Sequence, residues 1–233
     1  MKRILAVTAC ALGLPGITLA ASRTYDTGAF EAVSVASGVD ADITIGSTQS
    51  VVAETKSGSF DDLRVAVEGK VLRIDRAPRS WFSNWFSWNH QKYKVRLVTP
   101  TLHSLTAAAG ADVKVTGNLE GDFTVTASAG SDVEISQLRG GNVKVSSSSG
   151  SDIELAGSCI SLAVDASSGS DLDAKELRCE TVTLQTSSGS DISVVATKRI
   201  AGNASSGSDV VVRGRPAQVQ VEKSSGADVT VRD

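Results

Sequence analysis

Aspartate is the residue whose spacing most clearly suggests chemistry in this sequence. It follows Gly-Ser or Gly-Ala at seven positions: Asp112, Asp132, Asp152, Asp171, Asp191, Asp209 and Asp228. We call this set the Asp ladder. Regularly spaced carboxylates can supply oxygen ligands to Ca²⁺, which takes roughly six to eight of them. They could also contact a carbohydrate through a Ser/Asp edge, or each Asp could simply accept backbone N–H groups in its own Gly-containing turn.

Stacked carboxylates repel one another, so the Asp ladder needs some form of relief. At about 5 to 6 Å the repulsion is about 0.7 to 0.8 kcal/mol per pair in water, and it is larger where water is excluded. Only one acid recurs in each repeat, which differs from the nonapeptide Gly-rich calcium repeat. We therefore expect no cofactor, with Ca²⁺ on the Asp ladder as the one cation to test.

Nucleophilic catalysis is not predicted, although serines flank the repeated glycines. A serine hydroxyl normally needs a neighbouring base, and the two histidines, His90 and His103, lie outside the repeats. We expect these serines to form structural hydroxyl ladders. They are Ser147, Ser148, Ser149, Ser167, Ser168, Ser187, Ser188, Ser205 and Ser206.

Aromatic residues are concentrated in the stretch 81–93, which contains all three tryptophans. Its candidate docking residues are Trp81, Phe82, Trp85, Phe86 and Trp88. They could fold over the protein as a cap, or they could dock on a membrane surface or a protein partner, since tryptophan beside arginine and lysine suits an interface. Stacking of sugar rings on the tryptophan faces is a third interpretation.

The elements that position these residues follow from an internal repeat. The glycines before the Asp ladder are separated by 20, 20, 19, 20, 18 and 19 residues. Apolar residues alternate on both sides of each glycine, so each repeat contains two short strands separated by a Ser/Gly/Asp turn. Such a unit buries its apolar face only by stacking. The pattern predicts an all-β, single-domain parallel β-solenoid with about 20 residues per coil, and an antiparallel sandwich is the alternative.

The repeat gives the cysteines a common register. Cys159 and Cys179 each lie ten residues before a repeated glycine, Gly169 and Gly189. Stacked Cα atoms about 4.8 Å apart can be bridged by a disulfide. We predict a Cys159–Cys179 disulfide, with two buried thiols as the alternative, and no cysteine and histidine pair has zinc spacing.

The N-terminal residues predict export. Lys2 and Arg3 precede an apolar stretch and small residues near Ala20, so residues 1–20 resemble a secretory signal peptide. Cys10 follows Val-Thr-Ala as in a lipoprotein processing site, but the apolar region before it is short. Residues 21–100 are expected to form irregular coils or a cap, and residues 101–233 the regular array. The formal net charge of -3 argues against a nucleic-acid partner, and we expect none.

With these pieces assembled, the chain resembles the bacterial family called putative auto-transporter adhesin, head GIN domain. The resemblance rests on Phe30-Glu31-Ala32-Val33, Ser37-Gly38-Val39-Asp40, Val71-Leu72-Arg73-Ile74, Pro100-Thr101-Leu102 and the repeated Gly-Ser-Asp. It implies a right-handed, parallel β-helix-like fold on an exported or envelope protein.

The leading functional hypothesis is a non-enzymatic, adhesin-like binding or structural module of the bacterial cell envelope, in the periplasm or outer envelope. Its partner would be an envelope protein, a glycan or a membrane surface. Because the last rung, 229–233, has no obvious cap, end-to-end self-association is also expected. The alternative is a carbohydrate-active enzyme, a polysaccharide lyase or hydrolase, because β-helices often carry such sites.

Overall fold

The fold is built from β-strands throughout the part of the chain that the structure describes. The computed structural model describes residues 21–56, 59–77 and 92–232, and no helix occurs in these ranges. The first strands are β1 (Ala21–Thr24), β2 (Ala32–Ala36), β3 (Val39–Ile45), β4 (Ser50–Thr55), β5 (Leu63–Glu68), β6 (Val71–Arg76), β7 (Tyr93–Thr99), β8 (Ser104–Ala108) and β9 (Asp112–Thr116). The others are β10 (Leu119–Ser128), β11 (Asp132–Ser148), β12 (Asp152–Ser167), β13 (Asp171–Thr186), β14 (Asp191–Ala204), β15 (Asp209–Arg213), β16 (Gln218–Lys223) and β17 (Asp228–Val231).

A turn with two left-handed residues connects the two strands of each coil. Between β11 and β12, Ser149 and Gly150 have φ values of 57° and 66°. Glycine adopts this region without a Cβ penalty, whereas other L-residues pay a moderate cost there. The same pair of positive φ values precedes every member of the Asp ladder, which explains the repeated glycine.

Successive coils pair in parallel and in register. Asp132 pairs with Asp152 and Val143 with Leu162, and the next coil places Asp171 and Val182 on the same positions. This pairing confirms the predicted parallel β-solenoid of about 20 residues per coil. The sandwich alternative is wrong, because the regular coils pair in parallel rather than as antiparallel hairpins.

The N-terminal strands stack in an order that differs from their order along the chain. Strands β2 and β3 form one coil, which pairs on one side with β6 and β7 and on the other with β8 and β9. The outer edges of β6 and β7 are covered by antiparallel β5 and β4, and β1 covers β4. One end of the solenoid is thus closed by antiparallel strands.

The core is a continuous column of aliphatic side chains. Alternate residues of the strands from β2 to β15 point inward, and most of them are buried, as in Val133 and Ile135 of β11 and Ile153 and Leu155 of β12. On β5 only Leu63 is buried. Aromatic side chains enter this column as Phe30, Phe60, Tyr93 and Phe123. Among the described residues no helix is long and apolar enough to cross a membrane.

Candidate functional site

The strands that follow the turns present one strongly acidic surface. The Asp ladder runs down it, because Asp112 pairs with Asp132, Asp132 with Asp152, and so on to Asp228. A second column of acids lies two residues further along the same strands, at Glu134, Glu154 and Asp173. We call these two columns the acidic face. The part of this face from Asp112 to Asp173 lines, together with neighbouring residues, an open groove of about 620 Å³.

At five of the seven ladder positions, a buried serine directly precedes the carboxylate and fixes its position, whereas Asp112 and Asp228 follow alanine. Ser151 is fully buried, and its hydroxyl donates to the Ala127 carbonyl of the preceding coil at 3.0 Å. It also accepts the Ser148 N–H across the turn at 3.2 Å. Because successive residues of a strand point to opposite faces, a buried serine forces the following Asp152 outward.

The serines of the motif are therefore structural, and the expected Ser/Asp edge is wrong in this respect. Ser131, Ser151, Ser170, Ser190 and Ser208 are all buried, and each donates to a backbone carbonyl about one coil earlier. The hydroxyl groups tie neighbouring coils together. Only the aspartates of the motif are available to a partner.

The ladder carboxylates are not bound by their own turns, which corrects the structural interpretation of the sequence. Such a bond occurs at Asp228, where the carboxylate accepts the Val229 N–H at 2.9 Å. The other six ladder carboxylates accept no hydrogen bond and form no ion pair within the described residues. They are Asp112, Asp132, Asp152, Asp171, Asp191 and Asp209.

Partial burial and mutual repulsion raise the pKa of two members of the Asp ladder, Asp132 and Asp191. Loss of hydration raises the pKa of Asp132, and the carboxylates of Asp112 and Asp152 raise it further. The same causes act on the pKa of Asp191, with Asp171 and Asp209 as its charged neighbours. The acidic face is consequently a surface on which a positive charge would be favourable.

Asp40 belongs to this row, although it lies outside the seven-fold repeat of Gly-Ser-Asp or Gly-Ala-Asp. Ala41 pairs with Val113, so Asp40 lies beside Asp112. Burial raises the pKa of Asp40, and the Asp112 carboxylate adds to the effect. The signal was present in Ser37-Gly38-Val39-Asp40, whose left-handed Ser37 and Gly38 match the later turns.

Basic side chains form ion pairs with acidic side chains at one end of the acidic face. Lys94 pairs with Asp42 at 2.7 Å, and Lys114 pairs with Glu134 at 2.5 Å. Arg96 contacts Glu54 at 2.5 Å across the β4–β7 pair. These cations line a second open groove of about 650 Å³ beside the first. Further along the face, Lys175 pairs with Asp173 and Lys223 lies 3.7 Å from Asp228. From Asp132 onward, the acids of the face that form no ion pair within the described residues are Asp132, Asp152, Glu154, Asp171, Asp191 and Asp209.

The Ca²⁺ interpretation receives no support from the arrangement of the acids. Ladder carboxylates follow a line at the spacing of the coils instead of converging on one point. In the described parts of the chain, no group of three or more histidine, cysteine, aspartate or glutamate residues is arranged to hold a metal ion.

The predicted aromatic docking residues, Trp81, Phe82, Trp85, Phe86 and Trp88, lie outside the described residues, as do residues 1–20 with Cys10. The strands flanking the aromatic stretch, β6 and β7, both contact Asp62 through partly buried side chains. Tyr93 donates its hydroxyl to Asp62, and Arg76 pairs with Asp62 at 2.8 Å. The Arg76 guanidinium also lies 5.5 Å from the centre of the Tyr93 ring. Burial and the Asp62 carboxylate both raise the pKa of Tyr93, so this phenol stays protonated.

The structure joins the two cysteines of the repeat array. Cys159 and Cys179 occupy paired positions on β12 and β13, their Cα atoms are 4.5 Å apart, and their sulfurs are bonded. Both side chains are buried in the apolar column. The bond therefore links two successive coils and is shielded from solvent.

Replacing Asp132 with asparagine is expected to stabilise the protein at neutral pH. A raised pKa in the folded state means that stability is lost as pH rises from the ordinary aspartate value of 3.8 through the raised value. The substitution Asp132→Asn would remove that loss, a gain of about 0.5 kcal/mol at pH 7 after allowance for solvent and salt screening. The gain should disappear below about pH 3.8.

Urea unfolding across this pH range would measure the effect, with Asp165→Asn as the matched control. Asp165 is exposed on the opposite strands, where it pairs with Gln185 and Ser146 instead of other acids. The control should show no comparable gain. An equal gain in both variants would mean that overall charge, and not the Asp ladder, is responsible.

Comparison with known proteins identifies several solved structures that share this architecture. A crystal structure described as a putative adhesin from Bacteroides fragilis NCTC 9343 matches with a TM-score of 0.81 and 16% identity, covering 94% of this chain and 100% of that one. A structure described as a putative lipid binding protein from Parabacteroides distasonis ATCC 8503 has a TM-score of 0.69 and 15% identity, with 92% and 97% covered. A putative adhesin from Parabacteroides merdae ATCC 43184 has a TM-score of 0.68 and 13% identity, with 92% and 96% covered.

At these identities the structural matches show a shared fold. No curated protein matches the sequence. The sequence model of one family, described as putative auto-transporter adhesin, head GIN domain, matches residues 29–216. This match confirms the resemblance noted from the motifs, and the chain belongs to that family.

Proposed function

We propose that the protein is a non-enzymatic, adhesin-like binding module exported to the bacterial cell envelope, and that its acidic face binds a positively charged partner. The observation that carries the proposal is the row of ladder carboxylates without hydrogen bonds or ion pairs from Asp132 to Asp209. A cationic partner lying along the groove would neutralise several of them at once.

Electrostatics favour binding because repulsion between the ladder carboxylates already destabilises the unbound protein. Partly desolvated carboxylates at the spacing of the coils repel one another, as the raised pKa values of Asp132 and Asp191 indicate. Positive charges on a partner would relieve this repulsion and would also accelerate the encounter. The groove is open and follows the solenoid axis, which suits an extended partner such as a lysine-rich peptide.

The same features argue for binding over hydrolysis. Glycosidases use two carboxylates whose environments push their pKa values apart, one held as an acid and one as a base or nucleophile. Here the pKa values of Asp132 and Asp191 are shifted in the same direction by the same causes. The family description and the adhesin-like structural relatives support the non-enzymatic proposal.

Export is supported by two independent features of the chain. Lys2 and Arg3 at the start of an apolar stretch are typical of a signal peptide. The Cys159–Cys179 disulfide suits a compartment outside the cytosol, where such bonds persist.

Binding of a fluorescent decalysine peptide, followed by anisotropy at low salt, tests the acidic face. Asp132→Asn, Asp152→Asn and Asp171→Asn together should weaken binding about tenfold, because three losses of about 0.5 kcal/mol sum to about one decade. Raising the salt concentration should weaken binding of the unmodified protein and narrow this difference.

A charge-matched triple variant provides the control. Glu120→Gln, Asp165→Asn and Glu222→Gln remove three exposed carboxylates that lie off the acidic face. This variant should change the affinity less than twofold. Equal losses of affinity in the two triple variants would mean that binding depends only on the net charge of the protein, and would overturn the proposal.

A further inference from the structure

Within the described residues, the end of the solenoid opposite the antiparallel cover is open, since no strand there lies beyond β16 and β17. Strand β16 pairs with β14 and β17 with β15, and no strand in the described ranges pairs with their outer edges. Val219 and Val231 are 46% and 49% exposed, although their equivalents in earlier coils, such as Ile200 and Val212, are buried. The apolar column therefore reaches solvent at this end.

On both terminal strands, the backbone N–H and C=O groups of alternate residues point to the open edge. Asp228 and Arg232 donate their N–H groups to the preceding coil, at 3.0 Å to Ser208 and 2.8 Å to Val212. The backbone N–H and C=O groups of successive residues point to opposite sides of a strand. Those of Thr230 therefore also point to the preceding coil, and those of its two neighbours point away from it. The free groups on β17 are therefore those of Val229 and Val231.

Strand β16 has the same arrangement. The Ser224 N–H donates to Ala204 of the preceding coil at 3.0 Å, so Gln220 and Glu222 also face that coil. Val219 and Val221 direct their N–H and C=O groups to the open edge. Each terminal strand thus presents two valines, both of which expose their backbone groups at the edge and turn their side chains toward the core.

We propose that this open end binds the same end of a second copy, tail to tail, about a two-fold axis. Centring an antiparallel β17 pair on Thr230 places Val229 opposite Val231 of the other copy, so that both exchange hydrogen bonds. Centring the β16 pair on Gln220 does the same for Val219 and Val221. Gln220 lies five residues before Ser225 and Thr230 lies four residues after Gly226, which allows one axis to pass close to both.

Charge complementarity favours this partner over others. In the antiparallel β17 pair, Asp228 lies opposite Arg232 of the other copy, and the reverse contact repeats by symmetry. Opposite charges directly across a strand pair are stabilising. The Asp ladder would then continue into a cation instead of another acid. Head-to-tail stacking fits less well, because antiparallel β1, β4 and β5 cover the other end.

Cysteine cross-linking tests both the dimer and its register, in the full chain with Cys10→Ser so that no other free thiol interferes. Thr230→Cys places two thiols at the two-fold axis, in a pair whose Cα atoms are about 4.5 Å apart and can be bridged. We expect a disulfide-linked dimer on non-reducing gels. The control Asp228→Cys should not cross-link. In a pair centred on Thr230, the two residues 228 are offset by four residues along the strands, so their Cα atoms are about 14 Å apart.

A proline variant tests the edge itself by sedimentation velocity. Val231→Pro removes an N–H that faces the open edge and leaves the bonds to β15 intact, so the dimer should dissociate at least tenfold more readily. Val231→Ala, which keeps the N–H, should have a smaller effect, and circular dichroism would verify that both variants fold. A monomer at high concentration, or equal cross-linking at positions 228 and 230, would overturn the proposal. This outcome is independent of peptide binding at the acidic face.

Discussion

Replacing Gly157 with alanine is expected to destabilise the protein by about 4 kcal/mol. Gly157 has a φ of 135°, and a Cβ at this position would overlap the backbone of Leu138 in the preceding coil. The strained conformation costs about 1 to 3 kcal/mol, and forced displacement of a packed coil adds about 1 to 3 more. Because backbone atoms are the obstacle, no side-chain rotation can relieve the overlap.

Gly150→Ala is the matched control, since it makes the same chemical change in a neighbouring turn. Gly150 has a φ of 66° but no atom within 4 Å of the added Cβ, and Ser149 already adopts a similar conformation. We expect a cost of about 1 kcal/mol. Urea unfolding monitored by circular dichroism would compare the two. Similar midpoints would mean that the coils at Gly157 are free to separate, contrary to their close packing.

The periodic part of the fold was predictable because it depends on local spacing. The distance between glycines determines the coil length, and alternation of apolar residues determines which side chains enter the core. The same register brought Cys159 and Cys179 to paired positions on β12 and β13. Alternation would also have placed Ser151 inside, since it lies two residues before the inward Ile153, but its hydroxyl suggested a surface role.

The N-terminal arrangement was not predictable from spacing. Asp40 is separated from Asp112 by an insertion that contains β4 to β7, so it does not share the regular spacing of the repeat. The position of β2 and β3 between two later coils depends on non-local strand pairing, which no sequence period encodes. The outward direction of the ladder carboxylates likewise depends on the hydrogen bonds that bury the preceding serines, and these bonds join different coils.

Loss of the Cys159–Cys179 disulfide is expected to lower stability by about 3 kcal/mol. The bond closes a loop with a sequence separation of 20 residues, and the chain-entropy model gives a value of this size for such a loop. The double variant Cys159→Ala and Cys179→Ala tests this without leaving a buried polar group in the apolar column. Its unfolding midpoint in urea should fall relative to that of the oxidised protein.

Dithiothreitol separates the covalent contribution from the change in side-chain volume. The unmodified protein, once unfolded and refolded with reductant, should approach the stability of the double alanine variant, whereas the variant itself should not respond to reductant. Peptide maps with and without reductant should differ only in the fragments that contain residues 159 and 179. Identical maps, or a reduced protein as stable as the oxidised one, would show that parallel pairing of β12 and β13 alone holds these coils together.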